Sequence, residues 1–113
     1  MTVNLGDIYW IPVDEANDLK TKIVHPHVVI QVDAINHTLM VCALTTNKKQ
    51  ANLPGNVLLE AGEANLPKQS IVVVSQAATV NKSQLGEYIG SLTEERLTQI
   101  LSGMRFVQRM IER

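Results

Sequence analysis

The sequence predicts a small α+β domain in which five or six antiparallel strands curl into a barrel and one helix follows. Two observations lead to this prediction. Runs of β-branched and apolar residues, separated by turn residues, fill the chain up to about residue 81. After residue 92, apolar residues instead recur every three or four positions, as in an amphipathic helix. Because 113 residues is the length of one domain, we expect a single domain over 1–113.

Composition narrows the class of protein. Apolar residues make up 45% of the chain and charged residues 19%, so a buried core is expected. The formal charge of -1 excludes a strongly basic protein that coats nucleic acid, although a local basic patch remains open. The longest apolar run, Leu39–Leu44, is six residues, whereas a membrane span needs about 20. With no secretory signal visible, we expect a soluble, cytoplasmic protein that does not associate with a membrane.

Metals and disulfides are not expected. The one cysteine, Cys42, lies in an apolar run that indicates burial, and it cannot form an internal disulfide. The spacing of His25 and His27 is too short for a usual zinc-finger pair, so neither a metal site nor a cofactor is predicted.

The first strands follow from composition and turn signals. Asp7–Val13 is rich in β-branched and aromatic residues. His27–Ala34 and Leu39–Thr45 are almost continuously apolar, which predicts two central strands joined by a hairpin turn at 35–38. Residues 14–26 lack any period and are predicted to be a mobile loop.

Shorter elements complete the predicted domain. After a polar loop over 46–55, strands are expected at Asn56–Glu60, Ser70–Gln76 and Thr79–Asn81. Thr93 is a suitable N-cap for the helix, and Gly103 costs that helix about 1 kcal/mol relative to alanine. The apolar stripe of the helix consists of Leu97, Ile100, Leu101, Met104, Val107 and Ile111.

Six sequence blocks, in this order and spacing, resemble the MazF/PemK toxin family over about Gly6 to Val107. No block is specific alone, but the set indicates the fold. The blocks are Gly-Asp-Ile-Tyr-Trp (6–10), His-Pro-His-Val-Val-Ile-Gln (25–31), Leu-Thr-Thr-Asn (44–47), Leu-Pro-Gly-Asn-Val (53–57), Ser-Gln-Ala-Ala-Thr-Val-Asn-Lys-Ser-Gln-Leu (75–85) and Ile-Gly-Ser-Leu-Thr-Glu-Glu (89–95).

The resemblance implies a fold, an activity and partners. Members of the family have an SH3-like barrel, form homodimers, pair with a small antitoxin, and cleave single-stranded RNA without a metal. The implied reaction is attack of a ribose 2′-hydroxyl on the adjacent phosphate. That reaction needs a base for the hydroxyl, an acid for the leaving 5′-oxygen, and a donor for the developing negative charge.

Two positions of this chain align with the family's catalytic pair. His25 stands where the family has arginine in Arg-Pro-Val-Val-Val, and Thr45 stands at the family's Ser/Thr position. We expect His25 to act as acid or base near neutral pH and Thr45 to hold an oxygen of the scissile phosphate. The plainer interpretations are a solvated loop histidine and a β-branched residue chosen for the strand. A second family arginine is replaced by Ala78, although Gln76 is kept.

Further residues are candidates for RNA contact. The resemblance and the loop charges point to a path lined by Lys22, Thr46, Asn47, Lys48, Lys49 and Gln76. Solvated loop charges are the alternative for each lysine. The pattern favours structural roles for His27 and His37. Tyr9 and Trp10 alternate along the first strand, and packing is favoured over base stacking for the outward ring.

Two other functions remain open. The departures at His25 and Ala78 favour a binding module that keeps the toxin barrel without its nuclease, whereas Thr45 and Gln76 favour the enzyme. A gyrase-poisoning relative is disfavoured, because the chain ends Arg109-Met-Ile-Glu-Arg113 and lacks the Trp-Gly-Ile tail of that branch.

Overall fold

The computed structural model of the chain describes residues 2–14 and 22–111. Within them, antiparallel strands form one sheet in the order β4-β5-β3-β2-β1-β6. No helix in these residues is long and apolar enough to cross a membrane. The elements are β1 (Asp7–Asp14), β2 (Lys22–Asp33), β3 (Thr38–Thr45), β4 (Val57–Leu59), β5 (Ser70–Asn81), β6 (Tyr88–Ser91) and helix α1 (Glu94–Ile111).

Each face of the sheet carries its own apolar cluster because successive side chains of a strand point to opposite faces. The larger cluster lies under α1 and includes Val28, Cys42, Leu44 and Ile100. The smaller cluster lies on the opposite face and contains Val3, Tyr9, Ile11, Val29, Leu39 and Val41. The central position of β2 and β3, predicted from their continuous apolarity, is confirmed.

The sheet is curled rather than flat. Leu59 from edge strand β4 and Ile8 from β1, on the other side of the sheet, pack in the same cluster beneath α1. Between the pairs Cys42↔Ala77 and Leu44↔Val72, the chain of β5 is longer than that of β3, and such bulges bend a sheet. The result is the half-barrel with a C-terminal helix that the sequence predicts.

Three strands differ from those predicted. β2 begins at Lys22, so the residues from there to Pro26 are strand and not loop, because they pair with β1. The rest of the predicted loop, 15–21, lies outside the described residues. β5 is continuous through Ala77 and Ala78, which lack β-branched side chains but pair with β3. Strand β6 was not predicted, since four residues that include a glycine show no clear alternation.

Helix α1 crosses the loop before β4 at two glycines. Gly55 has a φ of +82°, and a Cβ built there would lie 2.6 Å from the carbonyl oxygen of Gly103. A Cβ on Gly103 would in turn collide with the Gly55 carbonyl. The glycine that weakens the isolated helix therefore allows two backbones to touch.

We expect Gly103→Ala to destabilise the fold, although alanine is the better helix former. The methyl group must displace backbone, and overpacking of this kind typically costs about 1–3 kcal/mol. Urea unfolding of this variant and of Ser102→Ala, an exposed neighbour on the same helix, measures the difference. Equal or higher stability of Gly103→Ala than of Ser102→Ala would contradict the close contact.

Candidate functional site

A groove of about 410 Å³ opens on the sheet face opposite α1. It continues the smaller apolar cluster toward the end of the sheet where β2 begins and β3 ends. The residues that line it are His25, His27, Ala43, Leu44, Thr45, Gln76, Ala77 and Ala78. Two imidazoles, a hydroxyl and an amide therefore share one groove.

Strand register brings the candidate catalytic pair together. His27 pairs with Ala43 across the β2–β3 ladder. This is the last pair of the ladder, and two residues beyond it on each strand lie His25 and Thr45, which line the same groove. Alternation puts all four residues on the face of Val29 and Val41. Strand alternation and the shared groove thus bring His25 and Thr45 to one face of the sheet.

The turn after β3 orients the Thr45 hydroxyl. The backbone N–H of Asn47 donates to Thr45 Oγ1 at 3.2 Å, and the N–H of Lys49 donates to Asn47 Oδ1 at 3.1 Å. Asn47 thereby caps the short 3₁₀ helix Lys48–Asn52. Because Oγ1 accepts one hydrogen bond from the turn, its own hydrogen remains able to donate to a ligand oxygen.

A second groove, of about 300 Å³, meets the first at His25, Leu44 and Thr45. Its other lining residues come from the opposite sheet face, from the loop after β3, and from the segment between β4 and β5 with the first residue of β5: Trp10, Val24, Pro26, Thr46, Leu66, Pro67, Lys68 and Ser70. Trp10 is half-buried here, whereas its neighbour Tyr9 is buried in the smaller apolar cluster. His25 and Thr45 therefore stand where a path over the end of the sheet changes faces.

The remaining predicted residues are spread around the two grooves. Gln76 lines the first groove and Thr46 the second. Lys48 and Lys49 are exposed on the 3₁₀ helix next to Thr45 but line neither groove. Lys22 is the first residue of β2, and its side chain lies outside the described part of the chain.

Two groove residues were not identified from the sequence. His27 lines the groove, although the sequence favoured a structural role for it. The available signal was its spacing of two residues from His25, which places both side chains on the same face of a strand. Lys68 lines the second groove from the turn after β4. Nothing local marks Lys68, because only the curl of the sheet brings residues 66–70 to the end of β2.

Of the two groove histidines, His27 has the more unusual environment. It is 8% exposed, and Nδ1 lies 2.9 Å from the backbone oxygen of His25. Burial lowers the pKa of His27 below its ordinary value of 6.5; the His25 carbonyl opposes this shift and the nearby His25 imidazole adds to it. At neutral pH His27 is therefore the uncharged imidazole.

The groove is better suited to a phosphate or a nucleic acid than to a metal. Among the described residues, no group of three or more His, Cys, Asp or Glu side chains could hold a metal ion. The described lining of both grooves contains no carboxylate, so a phosphate that enters meets no fixed negative charge there. Imidazole, hydroxyl, amide and the Lys68 ammonium can all donate to its oxygens.

We expect stability to fall in acid partly because of His27. Its folded-state pKa lies below 6.5, so its contribution is complete above pH 6.5 and is lost as pH falls toward the folded value. Urea unfolding of wild type and His27→Asn at pH 5.5 and 7.5 should show a smaller pH difference in the variant. His37→Asn, at an exposed turn position with φ 55° that asparagine tolerates, should keep the wild-type difference.

Comparisons with known proteins agree with this fold. The model of the PemK-like, MazF-like toxins of type II toxin–antitoxin systems matches residues 4–107. Endoribonuclease MazF6 of Mycobacterium tuberculosis is 30% identical over 111 residues, which cover 95% of this chain and 97% of the relative. Endoribonuclease EndoA of Bacillus subtilis is 26% identical and covers 99% of each chain.

Solved structures show the same architecture. MazF from Deinococcus radiodurans superposes with a TM-score of 0.73 at 16% identity, covering 96% of this chain and 97% of its own. A mycobacterial endoribonuclease, solved in complex with its cognate antitoxin, gives a TM-score of 0.71 at 20% identity with 93% of each chain covered. The predicted fold and family are confirmed, and the chain belongs to the PemK-like, MazF-like toxins of type II toxin–antitoxin systems.

Proposed function

We propose that this chain is a toxin endoribonuclease that cleaves single-stranded RNA by attack of a ribose 2′-hydroxyl on the adjacent phosphate. The class of activity agrees with the family and with relatives that are named endoribonucleases. The observation that carries the proposal is the position of His25 and Thr45, which both line the two grooves where these meet.

The chemistry assigned to the pair follows from their side chains. An imidazole takes or gives a proton near neutral pH, which is what the 2′-hydroxyl and the leaving 5′-oxygen require. The Thr45 hydroxyl, with its oxygen held by the Asn47 N–H, donates to a non-bridging phosphate oxygen. A donor fixed before the substrate arrives stabilises the negative charge that develops on the non-bridging oxygens.

The two grooves support a single strand as the substrate. A flexible chain with its scissile phosphate at His25 can place one flanking nucleotide in each groove, on opposite faces of the sheet. Trp10 offers a ring for stacking in the second groove. The predicted RNA contacts from Lys22, Thr46, Asn47, Lys48, Lys49 and Gln76 are part of this proposal, and Lys68 joins them.

The partners and setting of the enzyme complete the proposal. The antitoxin complex of a related fold supports a small antitoxin as protein partner. We propose a homodimer, a single domain over 1–113, a cytoplasmic location and catalysis without a metal, as the family resemblance implies.

A second candidate function is a catalytically degenerate module that binds RNA or a protein through the same grooves. The favouring observation is Ala78, which lines the first groove where the family has its second arginine. No guanidinium lines that groove among the residues the structure describes, so phosphate would be held by hydroxyl, amide and imidazole only.

We expect purified protein to cut a long single-stranded RNA in EDTA at a short repeated motif. Cuts should leave 2′,3′-cyclic phosphate and 5′-hydroxyl ends, because the 2′-oxygen is the nucleophile. His25→Ala should lower the rate about 100-fold or more, since a general acid or base typically contributes 10²–10⁴-fold. Mapping of 5′ ends by primer extension locates the cuts and compares the cleavage rate of His25→Ala with that of the wild type.

Thr45→Val is the matched variant for the hydroxyl, because valine keeps the β-branched shape of threonine. It should lower kcat with little change in stability. Binding of RNA without cleavage at any pH between 5 and 9 would refute the enzyme and support the binding module.

We expect Lys68→Ala to weaken RNA binding and leave the chemical step intact. Loss of one phosphate contact to a single strand should reduce the slope of log K against log salt by about 0.7. Fluorescence anisotropy with a labelled RNA over a salt series measures the slope. The control is Lys82→Ala, which changes an exposed lysine beside the hairpin turn at the other end of the sheet and should leave the slope unchanged. Equal slopes for both variants would place the RNA elsewhere.

A further inference from the structure

Two histidines of β2 project from the same face of the sheet into the first groove. His25 and His27 are two residues apart in a strand segment of regular register, so their Cα atoms are about 6.6 Å apart. Cleavage by a 2′-hydroxyl needs one group that takes a proton and another that gives one. The groove holds two imidazoles for these two roles.

The hydrogen bond at Nδ1 settles which nitrogen of His27 carries the hydrogen. The backbone oxygen of His25 can only accept, so Nδ1 of His27 must be the donor. In the uncharged ring Nε2 then has the free lone pair. No group of the described residues hydrogen-bonds Nε2, and these residues contain no buried side-chain nitrogen or oxygen without a partner. Nε2 is therefore reached by solvent in the groove and is ready to accept a proton.

The surroundings keep His27 uncharged and leave His25 more open. The neighbours of His27 across the ladders are Tyr9 on β1 and Ala43 on β3. Tyr9 is itself neutral, because burial, with Asp7 nearby, raises its pKa. The second imidazole, His25, is partly exposed and lines both grooves, as Thr45 does. Different environments of this kind divide the roles of an acid and a base.

We propose that His27 is the general base and His25 the general acid of the RNA cleavage, an assignment that rests on the proposed function. Nε2 of His27 takes the proton of the 2′-hydroxyl as the 2′-oxygen forms a bond to phosphorus. The bond from phosphorus to the 5′-oxygen breaks, and that oxygen takes a proton from the His25 imidazolium. The products are a 2′,3′-cyclic phosphate and a 5′-hydroxyl, and exchange with water returns both rings to their starting states.

The alternative role for His27 is purely structural, namely to hold the backbone of His25 through Nδ1. His27→Asn separates the two roles, because the asparagine Nδ2–H₂ can replace the Nδ1 donor while the base is lost. His27→Gln is the companion variant, which places an amide farther along the side chain. Both are checked for native stability by urea unfolding before activity is compared.

The test uses two versions of an RNA that contains the mapped cleavage motif. In one, sulfur replaces the 5′-oxygen of the scissile bond. A thiol has a pKa of about 8.5, far below that of an alcohol, so the sulfur leaves without an acid. We expect the ordinary RNA to be cut about 10²–10⁴-fold more slowly by His25→Ala and by His27→Asn. The sulfur RNA should restore His25→Ala to within about tenfold of wild type and leave His27→Asn slow.

The pH profile provides a second readout. Wild-type kcat/KM should rise with pH as His27 loses its proton, and His27→Asn should lack this rising limb. Wild-type rates for His27→Asn on ordinary RNA would show that His27 only positions His25. Equal rescue of both variants by sulfur would exclude His27 as the base. Inactive wild-type protein would instead refute the nuclease itself.

Discussion

The pairing of β2 with β3 determines where every group of the candidate site lies. A shift of this register by one residue would exchange the two faces, since side chains alternate along each strand. His27 would then lie under α1 and Val28 in the groove. Val28 and Val29 belong to the apolar clusters of the two opposite faces. The shift would exchange their positions, and it would also expose residues of one cluster and bury polar groups in the other. The stability of the core and the position of the site therefore depend on the same ladder.

The central strands also explain how a small domain holds two imidazoles in unlike environments. α1 packs on one face, where Ile100 is fully buried, whereas the opposite face has only the smaller cluster and opens toward His25. His27 lies in the closed part of this face and His25, two residues earlier on β2, lies in the open part. The inner histidine is thereby kept neutral, and the outer one remains accessible from both grooves.

Local pattern was sufficient for the central strands, the hairpin and α1, because each depends on contiguous apolar residues or a clear period. His25 and Thr45 could be named from the family blocks, and their assigned roles remain predictions. The predicted start of β2 was wrong, because the segment from Lys22 to Pro26 is a strand only through its pairing with β1. Lys68 could not be found, because its place beside the site depends on the curl that brings the turn after β4 to the end of β2.

The exchange of arginine for histidine at position 25 changes what the site must supply. A guanidinium holds a phosphate through fixed charge and two parallel donors, but it transfers protons poorly. An imidazole transfers protons well and, when neutral, contributes no charge. In the proposed mechanism, the Thr45 hydroxyl, whose oxygen accepts from the turn, and the Lys68 amine in the neighbouring groove would hold phosphate without arginine. In the proposed mechanism a histidine at this position needs a partner for the second proton, and His27 lies on the same strand and face, two residues away.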